Sequence, residues 1–386
     1  MEIRQIMKSH IYTQKFLLFI LFILSIPVYI TAQDFKTVQD GIEYAEITRE
    51  IDKLPVKMNL LRLDLTKVRL DVVHAKDAAI GLEKTSSIAM RHGAIAAINA
   101  GFFRIDKSIW EGDDVGVLKI DGKLFSESYA SRIALLIYND KSETKINIRK
   151  IDSTFDILRV KNTTLKLSGI NRERKNDELI LYTSEFHLTT LTNNNGLEFI
   201  IENDIITKIL DGKGSNYIPK NGGVISASGK FKDELNFLKV GDKFVVGFHL
   251  QSPGETFASV DKTPRRTEDI VSGVPQLIKN GKIDITWEEE KIGKSFVETK
   301  HPRTAVAKLK DGKFLMVTVD GRSESSGGIS LPDLAAFLLE MGATDAMNLD
   351  GGGSTTMFLN GKVVNHPSDK EGERSIGDAI LVFPRK

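Results

Sequence analysis

Two aspartates, Asp320 and Asp350, each close an apolar run and are each followed at once by glycine, in "VTVDGRSESSGG" and "AMNLDGGGSTT". A carboxylate at the end of a strand, beside a loop with little side-chain bulk, suits acid, base or nucleophilic work at an accessible edge. Three consecutive glycines, Gly351, Gly352 and Gly353, open backbone angles closed to other residues and let successive N–H groups point at an anion such as phosphate. The alternative is a plain turn between "AMNLD" and "TTMFLNGKVV". Neither nucleotide fingerprint fits, because no lysine follows as in a P-loop and no G-x-G-x-x-G opens a helix.

Arg303 and Arg322 flank Asp320 in sequence, and a guanidinium matches phosphate bidentately. The competing uses are a structural ion pair for Arg303 and a solvated loop position for Arg322. His301 and His366 lie near the motifs, but isolated histidines more often pack or cap, and no His/Asp/Glu spacing makes a recognisable metal site. Ser354 lacks the G-x-S-x-G setting of an activated nucleophile, which leaves it a binding role beside the glycines. Phe102, Phe103 and Trp110 carry faces on which a sugar ring can stack, with core packing as the other use.

The elements that must position these groups are legible around them. In "RTAVAKLKDGKFLMVTVD", Asp311-Gly312 between two apolar runs predicts a two-residue hairpin turn. Counting back from Lys310 paired with Lys313 places Thr304 opposite Val319 and Arg303 opposite Asp320, an ion pair at the strand end. Ser330 reads as a helix N-cap with Asp333 three residues on, followed by an apolar stripe of Leu331, Leu334, Ala335, Leu338 and Met341 and a stop at Gly342. The short apolar run "DAMNLD" then completes a strand-helix-strand unit whose two strands run parallel. Asp320 and Asp350 therefore leave one sheet at the same edge, the edge at which open α/β sheets bind ligands. The run "GAIAAINAGFF" ends in the same manner and adds Asn99 and Gly101 to that rim.

Elsewhere, strand-like runs and turn signals dominate, densest between about residues 150 and 258, which reads as a β-rich insert. The fold class expected is α+β: a mixed β-sheet core, the C-terminal strand-helix-strand unit and the insert. The chain has 386 residues, 41% hydrophobic and 27% charged, enough for a large core. Arg4, Lys8 and Lys15 precede the apolar run "FLLFILFILSIPVYI" and the small-residue exit "TAQ", so residues 1–32 read as a cleaved secretory signal, with residues 33–386 as the mature domain. That run, about fifteen residues, is shorter than the roughly twenty of a membrane-spanning helix, and no span is expected after cleavage. Removing the signal, with three basic residues against Glu2, takes the formal charge from +1 to −1. No basic excess calls for a nucleic-acid partner. There are no cysteines, which excludes disulfides and thiolate chemistry.

Six ordered stretches resemble the phosphodiester glycosidase family: "NAGFF" at Asn99, "SGVPQLIKNGK" at Ser272, "HPRTAVA" at His301, "VDGRSESSGG" at Val319, "LAAFLLEMGATDAMNLDGGGST" at Leu334 and "VNHPSDKEGERSIGDAILV" at Val364. The resemblance implies a hydrolase that removes a sugar, such as N-acetylglucosamine, joined through its anomeric carbon to a phosphodiester, and the signal makes it one expected to be secreted, periplasmic or at the cell surface. It places Asp320, Arg322, Asn348, Asp350 and Gly351 to Gly353 on the family's pocket motifs, with Arg303, Thr304 and Asn99 beside them. Asp350 would then act at the anomeric centre as base or nucleophile, with Asp320 as acid or electrostatic partner. Two other readings stay open: a metal-dependent phosphodiesterase in which the aspartates hold Ca²⁺ or Mg²⁺, and a non-catalytic binder of surface glycans.

Overall fold

The central strand Leu54–Leu63 is apolar on both of its alternating faces: Leu61 and Leu63 enter one core, and Met58 and Leu60 another. The same split recurs in its sheet neighbours. Val306, Met316 and Met347 join Leu61, while Ala305, Leu315, Val317 and Ala346 join Leu60. A sheet covered on both faces is the reason these strands read as near-continuous apolar runs.

The computed structural model describes residues 34–154, 158–160, 163–253 and 267–385. The expected signal, residues 1–32, lies outside them, and so does part of the expected insert. The larger sheet has eight strands in the order Lys36–Gln39, Ile42–Ile51, Leu54–Leu63, Phe314–Val319, Arg303–Leu309, Ala343–Asn348, Gln276–Lys279, Lys282–Ile283. A second sheet, in the order Lys362–Val363, Met357–Leu359, Ala96–Asn99, Asp378–Pro384, Val68–His74, supplies Ile98, Met357, Ile380 and Val382 to the core the two share. Helix Leu331–Glu340 covers the far face of the first sheet, and helix Thr85–His92 the far face of the second. A third sheet built on Ile133–Asn139 touches this shared core through Leu135 and a further one through Leu136. That further core is completed by the sheet of Leu179–Thr183, Gly222–Ser228 and Gly196–Glu202. The fold is predominantly β, with its helices on outer faces, which is compatible with the α+β class.

The helix forms as its sequence directs. Ser330 Oγ accepts the Asp333 N–H at 3.2 Å, Leu331, Leu334, Ala335 and Leu338 are buried, and Gly342 adopts φ 88° beyond the end. Full burial of each such leucine contributes roughly 1.5 to 3 kcal/mol. The strands it links do run the same way, but Arg303–Leu309 lies between them, antiparallel to both. Asp320 and Asp350 thus leave the sheet at one edge, as expected, from a sheet in which every paired neighbour is antiparallel.

The hairpin register is corrected by one residue. Leu309 N–H donates to Lys313 O at 2.9 Å and Gly312, at φ 86°, closes a three-residue loop. Asp-Gly fits this turn as well as a two-residue one, because both need a left-handed residue near the end. Arg303 consequently faces Val319, and Thr304 faces Thr318. A one-residue slip moves a side chain to the other face of the sheet. Thr304 points towards the second sheet, Arg303 points towards the helix side, and the expected Arg303–Asp320 ion pair does not form.

Candidate functional site

The two sheets abut at their strand ends, and four segments distant in sequence converge there. Asp350 N–H donates to Ala100 O at 2.9 Å, Ala100 N–H donates to Asp378 O at 3.0 Å, and Leu349 N–H donates to Thr304 O at 2.8 Å. Asn99 braces the junction: its Nδ2 donates to Asp350 O at 2.7 Å, while its Oδ1 accepts from Thr304 Oγ1 at 2.8 Å and from the Thr356 N–H at 3.0 Å. Asn99 and Thr304 are both buried, and these bonds hold the junction together. Asn348 is also buried, its Nδ2 donating to Val274 O at 2.7 Å and Leu349 O at 2.8 Å.

Asp350 keeps partial exposure although protein closely surrounds its carboxyl. Burial, set against the Ser354 hydroxyl, the Gly351 N–H and the Arg374 charge, pushes it up to about 6. Ser354 Oγ influences the carboxylate yet does not meet hydrogen-bond geometry with it. That atom, Asn348 Oδ1, Thr355 Oγ1 and Thr356 Oγ1 are all buried with no partner among the described residues. Of these the Ser354 hydroxyl acts on the Asp350 carboxyl, and an unpartnered buried hydroxyl beside a buried acid marks a place that a ligand or water completes.

The glycines do not form the expected row of free amides. Gly351 N–H donates to Asp350 Oδ1 at 2.9 Å and Gly352 N–H to Pro302 O at 2.9 Å. Their smallness serves side chains instead. A Cβ on Gly352 would lie 3.0 Å from Arg322 Nη2, and one on Gly353 would collide with the Arg374 guanidinium and Asp369. Gly352, at φ 62°, also needs the left-handed region. Two arginines therefore rest against a bare turn beside Asp350. Arg374 is held bidentately by Asp369, at 2.7 and 3.0 Å. Arg322 is exposed and touches only Ser368 Oγ, at 3.4 Å, and it takes no part in an ion pair among the described residues. Its backbone, at φ 60°, is left-handed without being glycine, a strain that persists only where the surroundings enforce it.

Asp320, just past the strand Phe314–Val319, is buried. Its Oδ1 accepts Asn365 Nδ2 at 3.2 Å and the His366 N–H at 3.0 Å, and burial pushes its acidity weaker than usual. Arg322, Asn365, His366, Ser368, Asp369 and Glu373 line a cleft of about 630 Å³. His301, with Nδ1 buried and unpartnered, is disfavoured as a cation by burial and by Arg303 and Arg322.

Arg303 is absent from this wall. It is buried with its guanidinium donating to Phe296 O at 2.6 Å, Thr299 O at 2.9 Å and Ile329 O at 3.3 Å, 4.8 Å above the Phe296 ring. Burial brings its pKa down to about 10. Phe102 is half-buried with its ring 6.1 Å from that of Phe296, and Trp110 is buried against Phe186. Gly101 is buried next to Asp378.

Arg374, Asn365, Asp369 and Asp378 were not singled out from sequence. Arg374 and Asp378 lie in "EGERSIGDAILV", where the one visible signal is a charged residue heading an apolar strand. Among the described residues no three His, Asp or Glu side chains are grouped to hold a metal ion.

Residues 195–383 match the phosphodiester glycosidase family. A stretch of 109 residues is 40% identical to the bovine (Bos taurus) N-acetylglucosamine-1-phosphodiester alpha-N-acetylglucosaminidase, covering 26% of this chain and 20% of that protein. The match thus spans about a fifth of the length of the curated relative. Two solved structures share the fold: a hypothetical protein from Synechocystis (TM-score 0.74, 21% identity, 91% of this chain and 63% of that one), and a protein described as exported from Burkholderia pseudomallei K96243 (TM-score 0.73, 24% identity, 86% of this chain and 74% of that one).

Proposed function

The chain carries a phosphodiester glycosidase domain, and from that premise we propose that it is an exported hydrolase cleaving the anomeric C–O bond of a sugar-1-phosphodiester, with an N-acetylglucosamine-like sugar, to release free sugar and a phosphomonoester. The observation that carries this reading is Arg322, a cation without an acidic partner among the described residues, resting on the Gly352 backbone beside Asp350. A diester phosphate placed there meets a guanidinium, with Arg374 behind it.

The chemistry follows from the leaving group. A phosphomonoester has a second pKa of about 6 and departs without a strong general acid. Arg322 then stabilises the charge that accumulates on phosphate oxygen, and a preorganised donor of this kind contributes roughly 3 to 4 kcal/mol. Asp350, ionised above about pH 6, acts at the anomeric carbon as base or nucleophile. Asp320, held by Asn365 and the His366 N–H, acts as acid or electrostatic partner. Export is supported by the basic, apolar start of the sequence and by the description of one structural neighbour.

Hydrolysis of a sugar-1-phosphodiester in ¹⁸O-labelled water tests the reading. Label in the free sugar supports C–O cleavage. Label in phosphate would replace it with a phosphodiesterase, and saturable binding without product would replace it with a glycan binder.

A further inference from the structure

Behind Asp350 lie acids that the proposed reaction leaves unused. The Ala100 peptide joins Asp350 to Asp378 through the two backbone bonds already given. One residue further, the Gly101 N–H donates to Asp378 Oδ1. A Cβ on Gly101 would lie 2.8 Å from Asp378 Oδ2, so glycine is what allows this carboxylate to press against the backbone. Asp378 is fully buried and its neighbour is Asp114. Neither Asp114 oxygen has a hydrogen-bond partner, and the closest cationic candidate is His74 Nε2, 3.3 Å from Asp114 Oδ2. The His74 ring nitrogens also face Ala75 O at 3.2 Å and Gly112 O at 3.1 Å. A Cβ on Gly377, the residue before Asp378, would lie 3.5 Å from Asp114 Oδ1, and across this short gap Asp378 raises Asp114 while Asp114 lowers Asp378.

Two carboxyl groups this near in a protein interior do not both ionise, so one proton stays with the pair. The Gly101 N–H favours the charge on Asp378. Asp114, with no donor of its own, retains the proton, and burial followed by the nearby Asp378 charge pushes it well above the ordinary carboxylate range.

We propose that Asp378 and Asp114 form a single-charge pair, positioned one peptide behind Asp350, whose charge resides on Asp378 and adds to the burial that holds a proton on Asp350. The charged and titratable groups facing this assembly are His74 and Asp113 on the side of the pair and Arg374 on the side of Asp350. Asp378 and Asp114 are positioning residues, since neither touches substrate. The link to catalysis rests on the role proposed for Asp350; the pair itself does not.

The test is titration of the Asp350 carboxyl by ¹³C NMR in the whole chain, assigned with Asp350→Asn, for wild type, Asp114→Asn, Asp378→Asn and the double variant. Asparagine at 114 mimics a protonated acid and leaves the Asp350 midpoint in place. Asp378→Asn moves the charge to Asp114 and lowers the midpoint slightly. The double variant removes the charge and lowers it. An unmoved midpoint in the double variant, or a shift in Asp114→Asn as large as in the double, overturns the proposal. Should the variants fail to fold, the Asp114 carboxyl of the wild type carries the test: it is expected still protonated at neutral pH, and a signal already ionised there overturns the pair. The titration needs no turnover, so it separates failure of the pair from failure of the glycosidase reading. If both hold, the acid limb of kcat/KM follows the midpoint.

Discussion

Glu198 and Asp350 are both carboxylates enclosed by protein, and the fold treats them in opposite ways. Glu198, 0% exposed, receives Thr192 Oγ1 at 2.7 Å, Ser226 Oγ at 2.7 Å, Asn216 Nδ2 at 2.7 Å and Thr190 Oγ1 at 3.1 Å. These four groups are spent on it, and Arg174 ties the network on through Ser226 at 2.6 Å. Beside Asp350 the Ser354 hydroxyl is left without a partner among the described residues. The contrast teaches that burial alone does not mark a reactive acid. A buried carboxylate with its lone pairs taken joins loops together, whereas one beside an idle donor is arranged for something that arrives later.

The comparison breaks most sharply at Asp350→Asn. Turnover of a sugar-1-phosphodiester should fall by about 10³-fold or more with the melting temperature held or raised, measured by product assay and calorimetry. An equally large loss of stability would put Asp350 in the same class as Glu198. Glu198→Ala should behave in reverse: it strands several buried donors and costs about 3 kcal/mol in urea unfolding, while activity per folded molecule is preserved. Arg322→Ala should lower kcat/KM by about 10²-fold with almost no change in stability, since the side chain is exposed.

The pH dependence sharpens the contrast further. Burial leads the causes that raise Asp350 to about 6, Asp269 to about 7 and Asp113 to about 8. Folded values above the unfolded value of about 3.9 mean that the fold binds these protons more tightly. Their contribution therefore stabilises the protein as pH falls from about 8 towards 4. Glu83 has the opposite sign, held at about 2 against its burial by Arg91 and Ser87, and its support is lost as pH falls from about 4 to 2. Unfolding should be hardest near pH 5, whereas the acid limb of activity should lie near pH 6. The smallest effect expected is that of Thr304→Val, which removes one donor to Asn99 and costs about 1 kcal/mol, read as a modest fall in kcat with KM held.

Local signals carried the sequence reading a long way. The Ser330 cap, the Leu331–Glu340 stripe and the Gly342 stop are interactions within a few residues, and each appears as expected. The common edge of Asp320 and Asp350 followed from the chain direction of two strands, which survived the unforeseen strand between them. What failed depended on a single residue of turn geometry: Asp311-Gly312 suits two loops, and the choice between them decides the face on which Arg303 lies. The glycine triplet was recognised as a close approach, but its guests are guanidiniums where free amides were expected. Arg374, Asp378 and Asp114 stayed hidden because nothing adjacent in sequence marks them; their meaning comes from contacts with residues as far off as Gly353, Gly101 and His74.

The Ala100 peptide hydrogen-bonds on one side to Asp350 and on the other to Asp378, partners separated from it by about 250 and 280 positions of chain. Both bonds lie in the buried junction of the two sheets, and backbone bonds of such a core open only with the domain as a whole. Amide exchange at Ala100 and Asp350 should therefore run at the rate of whole-molecule unfolding, so that a proteolytic fragment lacking either end of the chain has lost the centre and not merely the margin of the protein.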